Sequence, residues 1–461
     1  MALPLRIAIV GAGPAAMYAV GHLLDSDEIE PDIDIFERLP NPWGLVRTGV
    51  APDHPEKKRI VDRLFDFYFR DSRVRFFGNV EIGVHLGHTE LAQWYDAVIY
   101  AVGAGSDTRM RIPGEELPGC WAAREFVGFY NGHPDHRHLE FDLSCERALV
   151  IGNGNVALDI ARILTMPVAE LERTDIADHA LDALRRSAVR EVVVLGRRGI
   201  LQAAFHNPEL EELTHLDGVD VIIEGQDLPG EDDILDERSS WEVRRKVAML
   251  KWMSGRRSHR ENKRIVLRFL ASPVELNGNR KVEEVVIGHN RIERDEQGIP
   301  TATPTDERSV LHAGLVLRAI GYRGMPFPGL PFDEHRGVIR NVAGRVVDVH
   351  GPVLGAYVTG WIKRGCRGVI GSNKKCAHET VEALIDDARK NRLRHAKLSK
   401  DTVATLIKRK HPDVVSRADW LAIDRSEKDA GRVTARPRIK KTDIPSMLAC
   451  ARDHALISKS I

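Results

Sequence analysis

Short apolar runs rich in Val and Ile alternate along the chain with longer segments whose apolar residues recur at helical spacing, and two of these units share one pattern. In the first, Arg6-Ile-Ala-Ile-Val-Gly11-Ala-Gly13-Pro-Ala15-Ala16 runs from a strand through a glycine-rich turn into a helical segment ending near Leu24. About 140 residues later, Arg147-Ala-Leu-Val-Ile-Gly152-Asn153-Gly154-Asn155-Val-Ala157 does the same and continues as a helix over 158–164. Further strands are expected at 33–36, 97–102, 192–195 and 315–320, and a helix at 373–385. This alternation predicts an α/β protein with two doubly wound dinucleotide-binding domains. The strands that close at Gly103 and Gly321 read as crossings between lobes, so the second unit is expected as an insertion. The expected division is 1–106 with 321–461, including a C-terminal extension, as one domain and 107–320 as the other.

The loops need their small residues for physical reasons. Gly11 makes the tight turn, Gly13 admits a pyrophosphate close to the backbone, and Ala16 stands where a third glycine lets helix pack on strand. The helix N-terminus then stabilises phosphate charge. Glu37 ends the next strand, 26 residues after Gly11, where a carboxylate accepts the ribose hydroxyls of an unphosphorylated adenosine, as in FAD or NAD. After the second loop the strand at 192–195 runs instead into Arg197-Arg198, and two guanidiniums suit a 2′-phosphate, so this site should prefer NADPH. One acid-ended and one arginine-ended site in a single chain point to a flavin relay, because a flavin accepts a hydride and releases electrons singly.

A chain of 461 residues has room for two sizeable cores, and 43% hydrophobic with 29% charged residues is the composition of a globular protein. No apolar run approaches the roughly 20 residues that span a bilayer, so no membrane insertion is expected. The first strand begins almost at Met1, so no signal or transit peptide is expected. Five scattered cysteines without a Cys-x-x-Cys pair argue against a zinc ribbon, an intrinsic iron–sulfur cluster and a redox disulfide, and fit a reducing cytoplasm. With 67 basic and 67 acidic residues, nothing in the overall charge points to nucleic acid. Locally, residues 244–264 hold nine Lys or Arg, Arg244 and Arg245 among them, against the single acid Glu261.

The stretch Asn41-Pro-Trp-Gly-Leu-Val-Arg47-Thr-Gly-Val-Ala-Pro-Asp-His54-Pro-Glu-Lys57 resembles the signature of the adrenodoxin reductase family, which includes bacterial ferredoxin–NADP reductases of the mycobacterial type. The likeness continues through Gly152 to Arg162, Gly196-Arg-Arg-Gly, Gln202 to Phe205, Gly360-Trp-Ile-Lys-Arg-Gly365, Gly368-Val-Ile-Gly-Ser-Asn373 and Ala435 to Arg438, and so covers nearly the whole chain. It implies FAD held by Gly11, Gly13, Ala15, Glu37, Leu45, a backbone contact near Val80, Trp361, Gly368, Val369 and Ile370. It implies NADPH held by Gly152, Asn153, Gly154, Asn155, Arg197, Arg198 and Glu209, with Gly368 near the nicotinamide. It places His54 and Asp159 beside the flavin, for positioning or proton management. It also implies that Arg244 and Arg245 dock a small acidic iron–sulfur protein, a ferredoxin; a monomer is expected because no self-association motif stands out.

Three departures from the family pattern stand out: Cys366-Arg367 in place of Pro-Thr, His206 in place of Thr, and Thr108-Arg109 where an arginine directly follows the aspartate. Three other readings remain open on sequence alone. One is a glutamate-synthase-like electron-feeding subunit, although its N-terminal cluster cysteines are absent; another is a flavin monooxygenase, although nothing in the sequence marks a substrate pocket; the third is a nucleotide-binding protein without turnover.

Overall fold

The computed structural model describes residues 3–230 and 240–457. Residues 1–2, 231–239 and 458–461, parts of the expected domains, lie outside the described residues. The chain forms two compact units, Met1–Ser106 with Tyr322–Ile461, and Asp107–Gly321.

In the first unit Leu3–Val10 lies between Ile29–Glu37 and Ala97–Tyr100, with Val74–Gly78 and Gly351–Val358 outside them, all parallel. Two short antiparallel strands, Arg345–Asp348 and Asn341–Val342, finish one edge. Alternate side chains serve opposite layers, as the period of two in a strand requires: Ile7, Ile9, Ile33 and Ile35 join one core, while Ala8, Val10, Phe36 and Tyr100 join the other. The first core takes in Val381 and Leu384 of the helix Ser372–Arg389, the second Val403 and Ile407 of Lys400–Lys410. Each such buried aliphatic contributes about 1.5–3 kcal/mol. Because the neighbours of Leu3–Val10 connect in opposite directions, the crevice at its C-terminal end is a topological switch point.

The second unit repeats the logic. Arg147–Ile151 sits between Leu315–Arg318 and Glu191–Leu195 in a six-stranded parallel sheet completed by Lys263–Arg268, Val219–Glu224 and the edge strand Cys120–Ala122. One face carries Ala148, Val150, Val192 and Val194 against helices such as Asn155–Thr165. On the other face Leu149, Ile151, Val193 and Leu195 meet Val285 and Ile287, from a three-stranded antiparallel sheet formed by Ala271–Asn277, Glu284–Arg294 and Pro300–His312. That covering sheet was not among the expected elements. Between the loop helix and the strand Glu191–Leu195 the chain forms two further helices, Val168–Leu171 and Asp178–Arg185.

C-terminal helices close the first unit around a buried charge. Glu427, on the helix Arg417–Val433, has a side chain that is 0% exposed and accepts both arms of Arg47, at 2.6 and 3.0 Å, from the far end of the chain. It also accepts from the Lys441 amide at 2.8 Å and the Arg438 guanidinium at 3.1 Å. Glu427→Ala would leave Arg47 buried without its counter-ion, a cost of about 3–5 kcal/mol. A lowered urea midpoint for the first unit is the expected measurement.

Nearby, the rings of His85 and His411 stack with centroids 3.9 Å apart. Burial, helped by the charge of His411 and opposed by Glu81, holds His85 below the ordinary imidazole value. The unfolded chain takes up that proton near pH ~6.5, so this contribution to stability is present above that pH and is lost as pH falls below it. A His85→Asn variant is expected to show a smaller drop in melting temperature on acidification than the unchanged protein.

Candidate functional site: two dinucleotide loops

Both loops are built alike down to single hydrogen bonds. The Gly11 amide donates to Phe36 O at 2.7 Å and the Gly152 amide to Leu195 O at 2.9 Å, each tying the turn to the next strand. Both glycines have positive φ, +102° and +113°. A Cβ on Gly11 would stand 2.6 Å from the carbonyl oxygen of Ala101, and one on Gly152 would stand 2.5 Å from that of Ala319. The loops then enter helices Pro14–Leu24 and Asn155–Thr165 with extended caps at Gly13 and Gly154. A side chain begun at Gly154 would meet nothing within 4 Å, the open space a pyrophosphate requires.

The first loop is completed from several directions. Glu37 accepts from the amides of Ala12 at 3.0 Å and Leu39 at 3.1 Å. Burial raises its carboxyl above the usual range, while these amides and Arg38 pull it down. Its remaining lone pairs are free to accept ribose hydroxyls. Trp43, with φ +85°, is a bulky residue in left-handed backbone and gives its amide to Ala12 O at 2.9 Å, which brings Gly44 over Gly13. The sequence reading named Leu45 but not this strained pin, since nothing local in Asn-Pro-Trp-Gly announces positive φ on the tryptophan. The amide of buried Val80 is spent on Glu37 O at 2.9 Å, so it is not available to a ligand.

The second segment of the same unit supplies Trp361 and the turn after it. The indole Nε1 of Trp361 is buried without a hydrogen-bond partner among the described residues, and its ring lies 5.8 Å from that of Tyr322. Ala15 packs where a Cβ on Gly360 would come within 2.6 Å of it. The amides of Gly368, Val369, Ile370 and Gly371 donate to no described residue, although the turn itself is firmly made: Arg364 binds Asn373 at 3.0 Å, and the Val369 carbonyl accepts from Ser372 Oγ at 2.6 Å. A buried indole N–H and four successive free amides are donors suited to a ligand with ring carbonyls and nitrogens, and FAD fits that need. Cys366 sits in this turn, where burial pushes its thiol up to about 11.

In the second unit, Asn153 Nδ2 is buried beside Gly196 and has no hydrogen-bond partner among the described residues. Asn155 and His206 exchange hydrogen bonds, Nδ2 with Nδ1 at 3.0 Å and the His206 amide onto Oδ1 at 2.8 Å, so His206 locks the start of the loop helix. Arg197 and Arg198 are exposed, and neither guanidinium meets a described partner. Glu209 is buried on the helix Asn207–Glu212. Asp159 accepts from the buried Arg162 at 2.8 Å. In the first unit His54 is buried, with its Nδ1 3.0 Å from Lys57 Nζ. An ammonium can only donate, so Nδ1 holds a lone pair and a proton on the neutral ring resides at Nε2.

The basic run is less uniform in space than in sequence. Lys246 turns inward to Ala203 O at 2.6 Å, and burial lowers its ammonium; Lys263 reaches Leu164 O at 3.1 Å. Arg245 pairs with Glu211 at 2.7 Å, whereas Arg244 is exposed and free of described partners. Helix phase decides this: Lys246 shares its face with Val247, Leu250 and Met253.

Residues 5–224 match the pyridine nucleotide-disulphide oxidoreductase family. The chain is 47% identical to the NADPH-ferredoxin reductase FprA of Mycobacterium tuberculosis, covering 96% of this chain and 98% of the relative. It is 38% identical to the mitochondrial NADPH:adrenodoxin oxidoreductase of Salvelinus fontinalis, over 97% and 91%. A relative from Mycobacterium bovis named probable ferredoxin/ferredoxin–NADP reductase is 46% identical, and the match spans 76% of its length. Among solved structures, Mycobacterium tuberculosis FprA in complex with NADPH superposes with a TM-score of 0.90 at 45% identity, covering 97% of this chain and 100% of that one. With likeness of this depth over nearly its full length, the chain belongs to the adrenodoxin reductase family, alongside the bacterial NADPH-ferredoxin reductases.

Proposed function

We propose that this chain is an FAD-dependent NADPH–ferredoxin reductase that moves a hydride from NADPH to FAD and passes the electrons singly to an iron–sulfur protein. The observation that carries this is the opposite chemistry at the ends of two otherwise matching units: a carboxylate at Glu37 and two unpartnered guanidiniums at Arg197 and Arg198. The acid accepts hydroxyls and repels a 2′-phosphate; the arginines bind one. Bound FAD would supply the conversion from two-electron to one-electron chemistry.

The chain's own residues hold and orient. The loops at Gly11 to Gly13 and Gly152 to Gly154 bring backbone and helix N-termini to each pyrophosphate, and Asn153 offers its unpartnered amide to the second. Trp361 Nε1 and the amides of Gly368 to Gly371 would hold the flavin ring. Hydride transfer needs proximity and alignment rather than an acid or base. His54 and Asp159 are therefore positioning groups: Lys57 sets the tautomer of the one and Arg162 the direction of the other. Arg244 and Arg245 would steer an acidic partner, with a rate that falls as salt rises. The same proposal takes the enzyme as a monomer in the cytoplasm, where five unpaired cysteines are at home.

Anaerobic stopped-flow at the flavin absorbance band tests it. Rapid bleaching with NADPH, slow bleaching with NADH, and recovery of colour when ferredoxin is added are the expected results. A colourless protein, or a flavin indifferent to both nucleotides, would refute the proposal. Replacing Arg197 and Arg198 together by Ala should lower kcat/KM for NADPH about 10- to 100-fold, as expected for losing charged hydrogen bonds of about 1.5–3 kcal/mol. The value for NADH should hold. Trp361→Phe retains the ring and removes one donor, so flavin should be released more readily, read as a rise of about tenfold in its dissociation constant.

A further inference from the structure

The helix Trp241–Ser254 buries Lys246, Val247, Leu250 and Met253 on one side. With about 3.6 residues per turn, its opposite line carries Trp241, Arg245, Ala248 and Trp252. Both indoles on that line stand in solvent, 68% and 55% exposed. Large aromatic surfaces left uncovered on one helix face mark a place that something else covers.

Neither ring is loose. The Arg245 guanidinium lies over Trp241 at 5.5 Å, and that of Arg256 over Trp252 at 5.1 Å. The two cations are fixed in turn, Arg245 by Glu211 at 2.7 Å and Arg256 by Thr214 O at 3.2 Å. The rings are thereby pre-ordered, which reduces the entropy lost on association. Around them the side chains of Arg244, Lys251, Arg257 and Arg260 meet no described partner.

We propose that this face docks an acidic iron–sulfur protein, with Trp241 and Trp252 as apolar anchors inside a ring of steering charge. The proposal rests on the ferredoxin-reductase reading above and adds to it a contribution that salt does not screen. Charge selects the occupant. A second copy related by a two-fold axis would bring the same cations face to face, whereas a carboxylate-rich surface can pair with the free guanidiniums while its apolar patch covers the indoles. Tryptophan and arginine are also the residues in which interface binding energy concentrates.

The two contributions separate in a salt titration. NADPH-driven reduction of an adrenodoxin-type [2Fe–2S] ferredoxin would be measured across ionic strength with the FAD-loaded enzyme. Each rate would be divided by that for menadione, a small neutral quinone that needs no docking surface. With Trp241→Ala and Trp252→Ala together, KM for ferredoxin should rise at least about tenfold at every salt concentration with an unchanged slope against log salt. Arg244→Ala with Arg257→Ala should flatten that slope instead. Trp241→Phe with Trp252→Phe, which keeps apolar area on the same backbone, should recover most of the loss.

An unchanged ferredoxin KM in the double alanine variant, with the unmodified enzyme active on ferredoxin, overturns the docking proposal alone. Loss of self-association or of binding to anionic lipid vesicles in that variant, with ferredoxin reduction intact, also overturns it by assigning the face to another occupant. An unmodified enzyme that reduces menadione but not ferredoxin overturns the functional reading as well.

Discussion

Two backbone carbonyls set the terms for the whole molecule. In each unit the strand next to the nucleotide loop ends with its carbonyl, Ala101 O or Ala319 O, pressed against the turning glycine, where a single added carbon would come within 2.6 or 2.5 Å. Only glycine combines that contact with a φ beyond +100°. The same strands carry the chain toward its crossings between units. One close approach therefore fixes three things together: the turn, the direction of the following helix, and the place where the crossing strand leaves the sheet.

Around that constraint the first unit is assembled from parts far apart in sequence. The loop at Gly11 is met by Trp43 and Gly44, Trp43 packs on Phe65 and Phe69, and Arg47, four residues on, is held by Glu427. The surroundings of the first loop thus depend on a carboxylate from the C-terminal helices. Removing a charge of this kind acts through a buried partner, so its effect arises from desolvation more than from a lost contact. In the second unit the loop, the strand-end arginines and the His206 that locks Asn155 lie within residues 152–206.

What was legible in the sequence follows from how local each determinant is. The loops, Glu37 and the arginine pair could be read because a turn glycine and a strand-end charge act through the few residues beside them. The covering sheet at 271–312 was missed because its last strand is polar and half exposed, with no apolar alternation to betray it. Glu427 is one acid among many in an amphipathic helix, and only the fold reveals that it is fully enclosed. Counting charges over 244–264 overstated the surface patch, since a lysine in phase with Val247 and Leu250 faces inward whatever its charge. Trp43 could not be anticipated, because its strained backbone is imposed by packing rather than preferred by the residue.

The split of the first unit also orders events during synthesis. Residues 107–321 form a contiguous unit that can fold as soon as it leaves the ribosome, whereas the first unit waits for everything after Tyr322. Strand Leu3–Val10 and its loop emerge first, yet the strand Gly351–Val358 that pairs with Ala97–Tyr100, the amides after Gly368 and the counter-ion of Arg47 arrive last. A nascent chain therefore holds a finished second unit together with an open half-sheet whose buried-type arginine is still unpaired. The most exposed interval in the life of this molecule is the one in which its earliest strand waits for its latest helix.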